Sequence, residues 1–131
     1  MTVPLKPCRV LVADDQDAFR AAAASVVAET PGFELCGETA LCGAVAALVD
    51  LLAPDVILLD VRMPDADALD LAAELRRDRP VLVVVLVSAF SRDDVPAEVL
   101  NLGIGYLAKE DLAPATLHEV VASLRRRHDP S

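Results

Sequence analysis

The sequence predicts an α/β fold in which helices cover both faces of a parallel sheet. Short apolar runs at 9–13, 56–59, 81–87 and 104–108 alternate with segments of helical length. Strands buried on both faces read in this way, as nearly continuous Val/Ile/Leu stretches. Hydrophobic residues make up 54% of the 131 residues but aromatics only 3%. The core must therefore be built from Val, Leu, Ile and Ala, which suits a helix-covered parallel sheet better than an aromatic-rich β-sandwich. Each run also ends on a residue with chemistry: Asp14-Asp15, Asp60, Ser88 and Lys109. Ligands bind such sheets in the crevice at the carboxyl ends of the strands. These side chains are therefore expected at one rim.

The elements follow in chain order. Residues 1–7, with Pro4 and Pro7, form a loose arm, and the first strand covers about 9–13. A helical stretch over 16–30, Ala-rich at 21–24, is stopped by Pro31-Gly32. A second strand at 33–38 is mixed in polarity, which suits a sheet edge. Apolar residues at helical spacing over 41–52 give a second helix, closed by Ala53-Pro54 because the residue before a proline leaves the α region. The third strand is 56–59, and a third helix over 66–77 places Leu69, Ala72, Ala73 and Leu75 on one side. Its last turn carries Arg76-Arg77, matched to the negative end of the helix dipole. The run 81–87 reads as a central strand.

Helix four is the least regular. Ser91-Arg92-Asp93-Asp94 resembles a capping box, whereas Asp94 as N-cap would place Pro96 more comfortably in a first turn. A short helix of about 95–102 is expected, ended by Gly103. A strand at 104–107 follows, then a helix from Pro114 to Arg127 with Pro114 at its first position. Its end, Arg125-Arg126-Arg127, is again dipole-complementary. The result is five β-α units in a single domain spanning 1–131, with a core of about 8–127 and a tail or linker start at 128–131.

Bulk properties narrow the function. A net charge of -9 argues against a nucleic-acid-binding surface within this chain. Cys8, Cys36 and Cys42 have no metal-ligand spacing and leave one unpaired, the pattern of reduced thiols in a cytosolic protein. The opening residues lack a signal-peptide pattern, and the longest apolar run, 81–87, is too short to span a bilayer. A soluble, cytoplasmic protein is expected.

Asp14-Asp15, taken alone, suits an ordinary acidic helix start better than a metal site. Asp60 shifts the reading, because a carboxylate at the exit of a buried strand is costly unless compensated. Three neighbouring carboxylates would repel and raise at least one pKa unless a cation lay among them. Hard oxygen ligands favour Mg2+ or Mn2+, and a backbone carbonyl just beyond Asp60, that of Arg62, could add another. Such a metal would make an Asp nucleophile effective in phosphoryl transfer. Lys109 could pair with Asp60 at rest and bind a phosphoryl oxygen afterwards, though a plain surface lysine is the ordinary alternative. Ser88 could hydrogen-bond a phosphoryl oxygen, or simply cap the next helix.

Together, Asp14-Asp15, Asp60 with Met63-Pro64, Ser88-Ala89 and Tyr106-Leu107-Ala108-Lys109 resemble the receiver domain of two-component response regulators over about residues 8–127. The resemblance implies a doubly wound five-stranded parallel sheet with five helices, the flavodoxin-like receiver fold. It implies that Asp60 accepts a phosphoryl group from a sensor histidine kinase, that Asp15 and Asp60 bind Mg2+, and that Asp14 assists through water. Ser88 and Lys109 would contact the phosphoryl group, and Tyr106 would be a rotameric switch. Apart from its own phosphorylation and dephosphorylation, no catalysis is implied. Glu110 after Gly-Tyr-Leu-x-Lys, in place of proline, resembles the NarL/LuxR-type subfamily of transcriptional regulators. By that likeness the output is DNA binding through an effector domain absent from this chain, with a homodimer on phosphorylation.

The chain departs from the family pattern in three places. Ala68 stands where a glycine is usual, Gly103-Ile104-Gly105-Tyr106 is one residue tighter than common, and Pro96 interrupts the helix-four region. Two other readings remain at this level. A haloacid-dehalogenase-type phosphatase also uses a strand-end Asp, a Ser/Thr, a Lys and Mg2+, but generally has an acid two residues after the nucleophile. This chain has Arg62 there, so the proton-transfer group is missing. A stand-alone or phosphorylation-independent receiver-like interaction module is the other.

Overall fold

A computed structural model describes residues 6–89, 93 and 95–128. The strands are β1 (Cys8–Ala13), β2 (Phe33–Thr39), β3 (Val56–Asp60), β4 (Val83–Ser88) and β5 (Gly105–Ala108). The helices are α1 (Asp17–Glu29), α2 (Val45–Leu52), α3 (Ala68–Asp78), α4 (Ala97–Leu100) and α5 (Pro114–His128). Short 3-10 turns cover Cys42–Ala44 and Lys109–Asp111. All pairings are parallel, in the order β2-β1-β3-β4-β5. This is the doubly wound, five-helix architecture the sequence implied. The chain reverses its direction of travel between β1 and β3, so their carboxyl ends flank the switch-point crevice.

Strand alternation divides the interior in two. Leu11, Ala13, Ile57, Leu59, Val84 and Leu86 pack beneath α2 and α3, against Val45, Val49, Ala72 and Leu75. Val10, Val12, Leu58, Val85 and Val87 face the other way, onto Ala23 and Val27 of α1 and Leu117, Val121 and Leu124 of α5. Burying each Val or Leu side chain contributes about 1.5–3 kcal/mol, and β3 and β4 are buried at every position. The central strands are thus the most strongly specified part of the fold. Their last residues, Asp60 and Ser88, are fixed in place with them.

The boundaries differ from the sequence reading at informative points. The fourth strand begins at Val83, not 81, because Pro80 and Val81 form a turn in which Val81 is 89% exposed. Apolar character alone does not show where ladder pairing starts. The third helix begins at Ala68, not 66, because the Asp67 carboxylate accepts the Leu69 and Asp70 N–H groups as N-cap. Helix four is a single turn, Ala97–Leu100, rather than about 95–102, with Pro96 just before it at φ -58° and ψ 142°. Of the expected capping box, Ser91, Arg92 and Asp94 lie outside the described residues. Ala53 ends α2 in the left-handed region at φ 47°, consistent with the expected stop before Pro54.

Candidate functional site at the carboxyl ends of the strands

Asp14 directly follows β1. Its N–H donates to the Thr39 carbonyl at 3.0 Å, and its carbonyl accepts from Arg20 Nη1 at 2.7 Å. The Asp14 Oδ1 atom accepts the Gln16 N–H at 2.8 Å. The residue is thereby held from β2, α1 and the intervening turn, with none of its surface exposed. Asp60 ends β3 at 4% exposure, and its Oδ1 accepts the Arg62 N–H at 3.1 Å. Asp15 is exposed at the mouth. Each of these three carboxylates offers an oxygen within 4.8 Å of the others.

Lys109 completes the cluster from the end of β5. Its Nζ lies 2.6 Å from Asp14 Oδ2, 3.6 Å from Asp60 Oδ2 and 3.3 Å from Gln16 Oε1. It also stands 4.5 Å above the Phe19 ring centroid, in a cation–π contact. Pairing with Asp60, as the sequence reading expected, is present, but the shorter contact is to Asp14. Burial away from water pushes the Asp60 carboxyl above the ordinary carboxylate range. The neighbouring Asp14 and Asp15 charges act in the same direction, while the Arg62 N–H and the Lys109 ammonium oppose them.

A cleft of about 210 Å³ opens here, lined by Asp15, Gln16, Asp60, Arg62, Ser88 and Lys109, with Ala89 at its edge. Ser88 is 98% buried by its 2% exposure and pairs in register with Ala108, the residue before Lys109. Tyr106 does not line the cleft. It sits half-buried in β5, packed on the α2–α3 side of the sheet. A larger cleft of about 650 Å³ lies at the opposite, amino ends of the strands, against Cys8, Arg9, Phe33 and Arg125, and holds none of these carboxylates.

The donor set fits a hard divalent cation. Three carboxylates face one ammonium, and Asp14 Oδ2 is a buried oxygen that receives no aligned hydrogen bond among the described residues, although Lys109 is close. Oxygen ligands in this number suit Mg2+ or Mn2+ better than zinc.

Sequence reasoning missed Gln16, Phe19 and Arg20. Gln16 could have been noticed, since it follows the acidic pair at a strand end and must share its rim. Phe19 and Arg20 sit within an Ala-rich helix and give no local signal of facing Lys109 and Asp14.

The chain matches the family model described as the response regulator receiver domain over residues 10–122. The chain belongs to the response-regulator receiver family. This receiver domain is 38% identical over 122 residues to protein-glutamate methylesterase/protein-glutamine glutaminase 2 of Anaeromyxobacter dehalogenans, covering 93% of this chain and 36% of that protein. It is 34% identical over 120 residues to response regulator GacA of Pseudomonas aeruginosa, covering 90% and 54%. To transcriptional regulatory protein PdtaR of Mycobacterium tuberculosis it is 36% identical over 114 residues, covering 83% and 55%. The receiver domain thus spans about a third to a half of these relatives.

Among solved structures, the signal receiver domain of a Mycobacterium tuberculosis response regulator titled NarL superposes with a TM-score of 0.75 at 29% identity, covering 88% of this chain and 98% of that one. RcsB of Salmonella typhimurium superposes with a TM-score of 0.81 at 21% identity, covering 94% and 62%, and supports the fold alone. The relatives include a methylesterase as well as transcriptional regulators. Membership in the receiver family therefore does not by itself specify the NarL/LuxR subfamily. No helix among the described residues is long and apolar enough to cross a membrane.

Proposed function

We propose that this receiver domain accepts a phosphoryl group on Asp60 from a sensor histidine kinase and uses it to switch an output surface. The observation that carries the reading is the buried Asp60 carboxylate clustered with Asp14, Asp15 and Lys109, beside a cleft that Asp15, Asp60 and Lys109 line. Asp14, Asp15, Asp60 and the Arg62 backbone carbonyl are the groups that would hold Mg2+. That ion would supply charge neutralisation for an incoming phosphoryl group. Asp60 is the nucleophile, and the Arg62 N–H at 3.1 Å from Oδ1 orients it.

Lys109 is a compact point charge on a flexible stem, already within reach of both Asp14 and Asp60. It can leave the Asp14 carboxylate for a phosphoryl oxygen without leaving the cleft. Ser88, lining the same cleft, donates its hydroxyl to a second such oxygen. Its inward movement opens space along β5 for Tyr106, the switch residue, to turn on the α4 side. Phosphorylation adds about one further negative charge and new acceptor oxygens. Reversing the populations of two states needs about 5.5 kcal/mol of differential stabilisation.

Homology to GacA and PdtaR, both named as regulators, supports an output in transcription through an effector domain. The NarL/LuxR-type assignment rests on Gly105-Tyr106-Leu107-Ala108-Lys109-Glu110. A cytoplasmic location and dimerisation on phosphorylation complete this reading.

The test is incubation of the chain with phosphoramidate and Mg2+, followed by intact mass. One added phosphoryl group is expected in the unaltered chain and none in Asp60→Asn. An unmodified chain, where a control receiver is labelled in parallel, rules out the phosphoacceptor role. Turnover of a generic phosphate ester would instead point to a phosphatase.

A further inference from the structure

The loop between β3 and α3 carries Asp60 at one end and the Arg62 carbonyl within it, so its position sets where half of the proposed metal ligands lie. The Val61 N–H donates to the Val87 carbonyl of β4 at 3.0 Å, and three carboxylates anchor the rest. Asp60 Oδ1 holds the Arg62 N–H at the start, and the Asp67 carboxylate caps α3 at the end. Between them, Asp65 reaches across to the other side of the crevice. Its Oδ1 accepts the Cys42 N–H at 3.0 Å and its Oδ2 accepts the Gly43 N–H at 2.9 Å, over 23 and 22 residues of sequence. These two hydrogen bonds hold the Asp65 carboxyl below the ordinary carboxylate range.

The 3-10 turn Cys42–Ala44 and the helix that continues it have no side-chain cap of their own. The carboxylate of Asp65 therefore joins the loop to the amino end of α2, and the two elements share one pair of charge-assisted hydrogen bonds. Ala68, where a flexible glycine was the expectation, opens α3 at 1% exposure without a positive φ. The loop thus turns without a glycine, and side-chain anchors hold it.

We propose that Asp65 is a positioning residue for the phosphoacceptor site: by tethering the loop to α2, it places the Arg62 carbonyl and Asp60 for metal binding. The inference rests on the phosphoacceptor reading of the cleft. Asp65 touches no reacting atom, and its effect runs through the backbone of residues 61–64. Local hydrogen bonds behind a ligand commonly tune the ligand's hold on metal.

A purely structural role, as cap of α2, predicts a different pattern from a positioning role, and a compensating cap separates them. Leu41 precedes the 3-10 turn in extended geometry (φ -119°, ψ 124°) at 57% exposure, so Asp there can cap the helix locally. Three variants are compared with the unaltered 131-residue chain: Asp65→Ala, Asp65→Asn, and Leu41→Asp combined with Asp65→Ala. Mg2+ affinity is measured by calorimetry with the metal salt alone, labelling rate by phosphoramidate at saturating Mg2+, and stability by thermal unfolding.

Asp65→Ala is expected to weaken Mg2+ binding by about three- to tenfold, at or below the low end of losing a partner behind a metal ligand. The labelling rate at saturating Mg2+ is expected to stay within about twofold, because Asp60 and Lys109 are unaltered. Asp65→Asn, which keeps one acceptor oxygen, recovers part of the affinity. In the double variant the Tm returns while Mg2+ affinity stays weak. Affinity that returns together with Tm, or that never falls in Asp65→Ala, overturns the proposal. If the unaltered chain binds no Mg2+ and takes no phosphoryl group, the phosphoacceptor reading fails first, and the tether proposal with it.

Discussion

Lys109 Nζ stands 2.6 Å from Asp14 Oδ2, closer than the 3.6 Å that separates it from Asp60. The lysine is therefore the counter-ion of the most deeply buried carboxylate in the site, and only secondarily that of the proposed nucleophile. This arrangement leaves Asp60 incompletely neutralised, which agrees with the upward displacement of its carboxyl. It also gives Lys109 a structural duty distinct from any contact with a phosphoryl group.

Lys109→Ala tests that duty. Asp14 has no exposed surface and its Oδ2 has no other close partner among the described residues, so removing the ammonium strands a buried charge. Breaking a buried pair from one side costs about 3–5 kcal/mol, and a loss of about 3 kcal/mol in urea unfolding is expected, because Gln16 still serves Oδ1. Mg2+ should restore part of that loss in the variant, since it neutralises the same carboxylates. A variant as stable as the unaltered chain in metal-free buffer contradicts the assignment.

Asp60→Asn should have the opposite sign. Burial, first, and the Asp14 and Asp15 charges raise the Asp60 carboxyl in the folded chain. A raised folded-state pKa means that the folded protein holds this proton more tightly than the unfolded chain does. The resulting stability is fully present below the unfolded value of about 4 and is lost as pH rises through the folded value. At neutral pH the ionised Asp60 therefore opposes folding. In metal-free buffer at neutral pH, Asp60→Asn is expected to be more stable than the unaltered chain. The gap should close as the pH is lowered toward about 4. Urea unfolding across that range reads it, and a gap independent of pH refutes the charge argument.

What the sequence disclosed and what it hid follow from the range of the interactions. Asp14, Asp60, Ser88 and Lys109 were readable because each interrupts an apolar run, and a parallel topology then forces their shared rim. The sheet was readable for the same reason, down to the edge position of the mixed β2. Val81 was assigned to a strand because apolarity marks burial in general, whereas this residue sits in a turn beside Pro80. The roles of Phe19, Arg20 and Asp65 were hidden, since each acts on a residue brought near only by the folded sheet, as Lys109 is to Phe19 and Cys42 to Asp65. Tyr106 was placed by resemblance, and its half-buried position on the α2–α3 side of β5 could not be read from its neighbours in sequence.

Arg76 lies in the last turn of α3, where it suits the helix dipole as expected, and its guanidinium also works farther away. Nη1 donates to the Pro80 and Leu82 carbonyls at 2.6 and 3.1 Å, and Nε donates to Leu102 at 3.3 Å. His128 at the end of α5 meets the next carbonyl, that of Gly103, at 3.0 Å. The turn between α4 and β5 is thus held from both sides of the sheet. Arg76→Ala is expected to cost about 1–2 kcal/mol through the lost hydrogen bonds and to raise hydrogen exchange in a peptide covering 97–105. Arg76→Lys should not rescue it, because a single ammonium cannot reproduce the planar fork. Unchanged exchange there, with stability lost, would confine Arg76 to the α3–β4 turn.

Gly105, at the start of β5, tests how tightly the strand bearing Tyr106 and followed by Lys109 is pressed onto α5. A Cβ there would fall 2.6 Å from Leu124 Cδ1 and 3.2 Å from Val120 Cγ2. The glycine is thus required by close approach, since its φ is not positive. Leu124 is itself 3% exposed and has little room to withdraw. Overpacking of a filled core costs about 1–3 kcal/mol, so Gly105→Ala should lower stability by roughly that amount in urea unfolding. Gly43→Ala is the control, because its added methyl would meet only Asp65 Oδ2, at 3.5 Å, an ordinary contact. That change should be neutral or slightly stabilising, since alanine is favoured over glycine in helical backbone by up to about 1 kcal/mol. The displaced strand should also move Lys109, so Gly105→Ala is expected to slow phosphoramidate labelling while Gly43→Ala leaves it unchanged. Equal effects of the two substitutions would show that β5 has slack against α5 and that its register does not depend on Gly105.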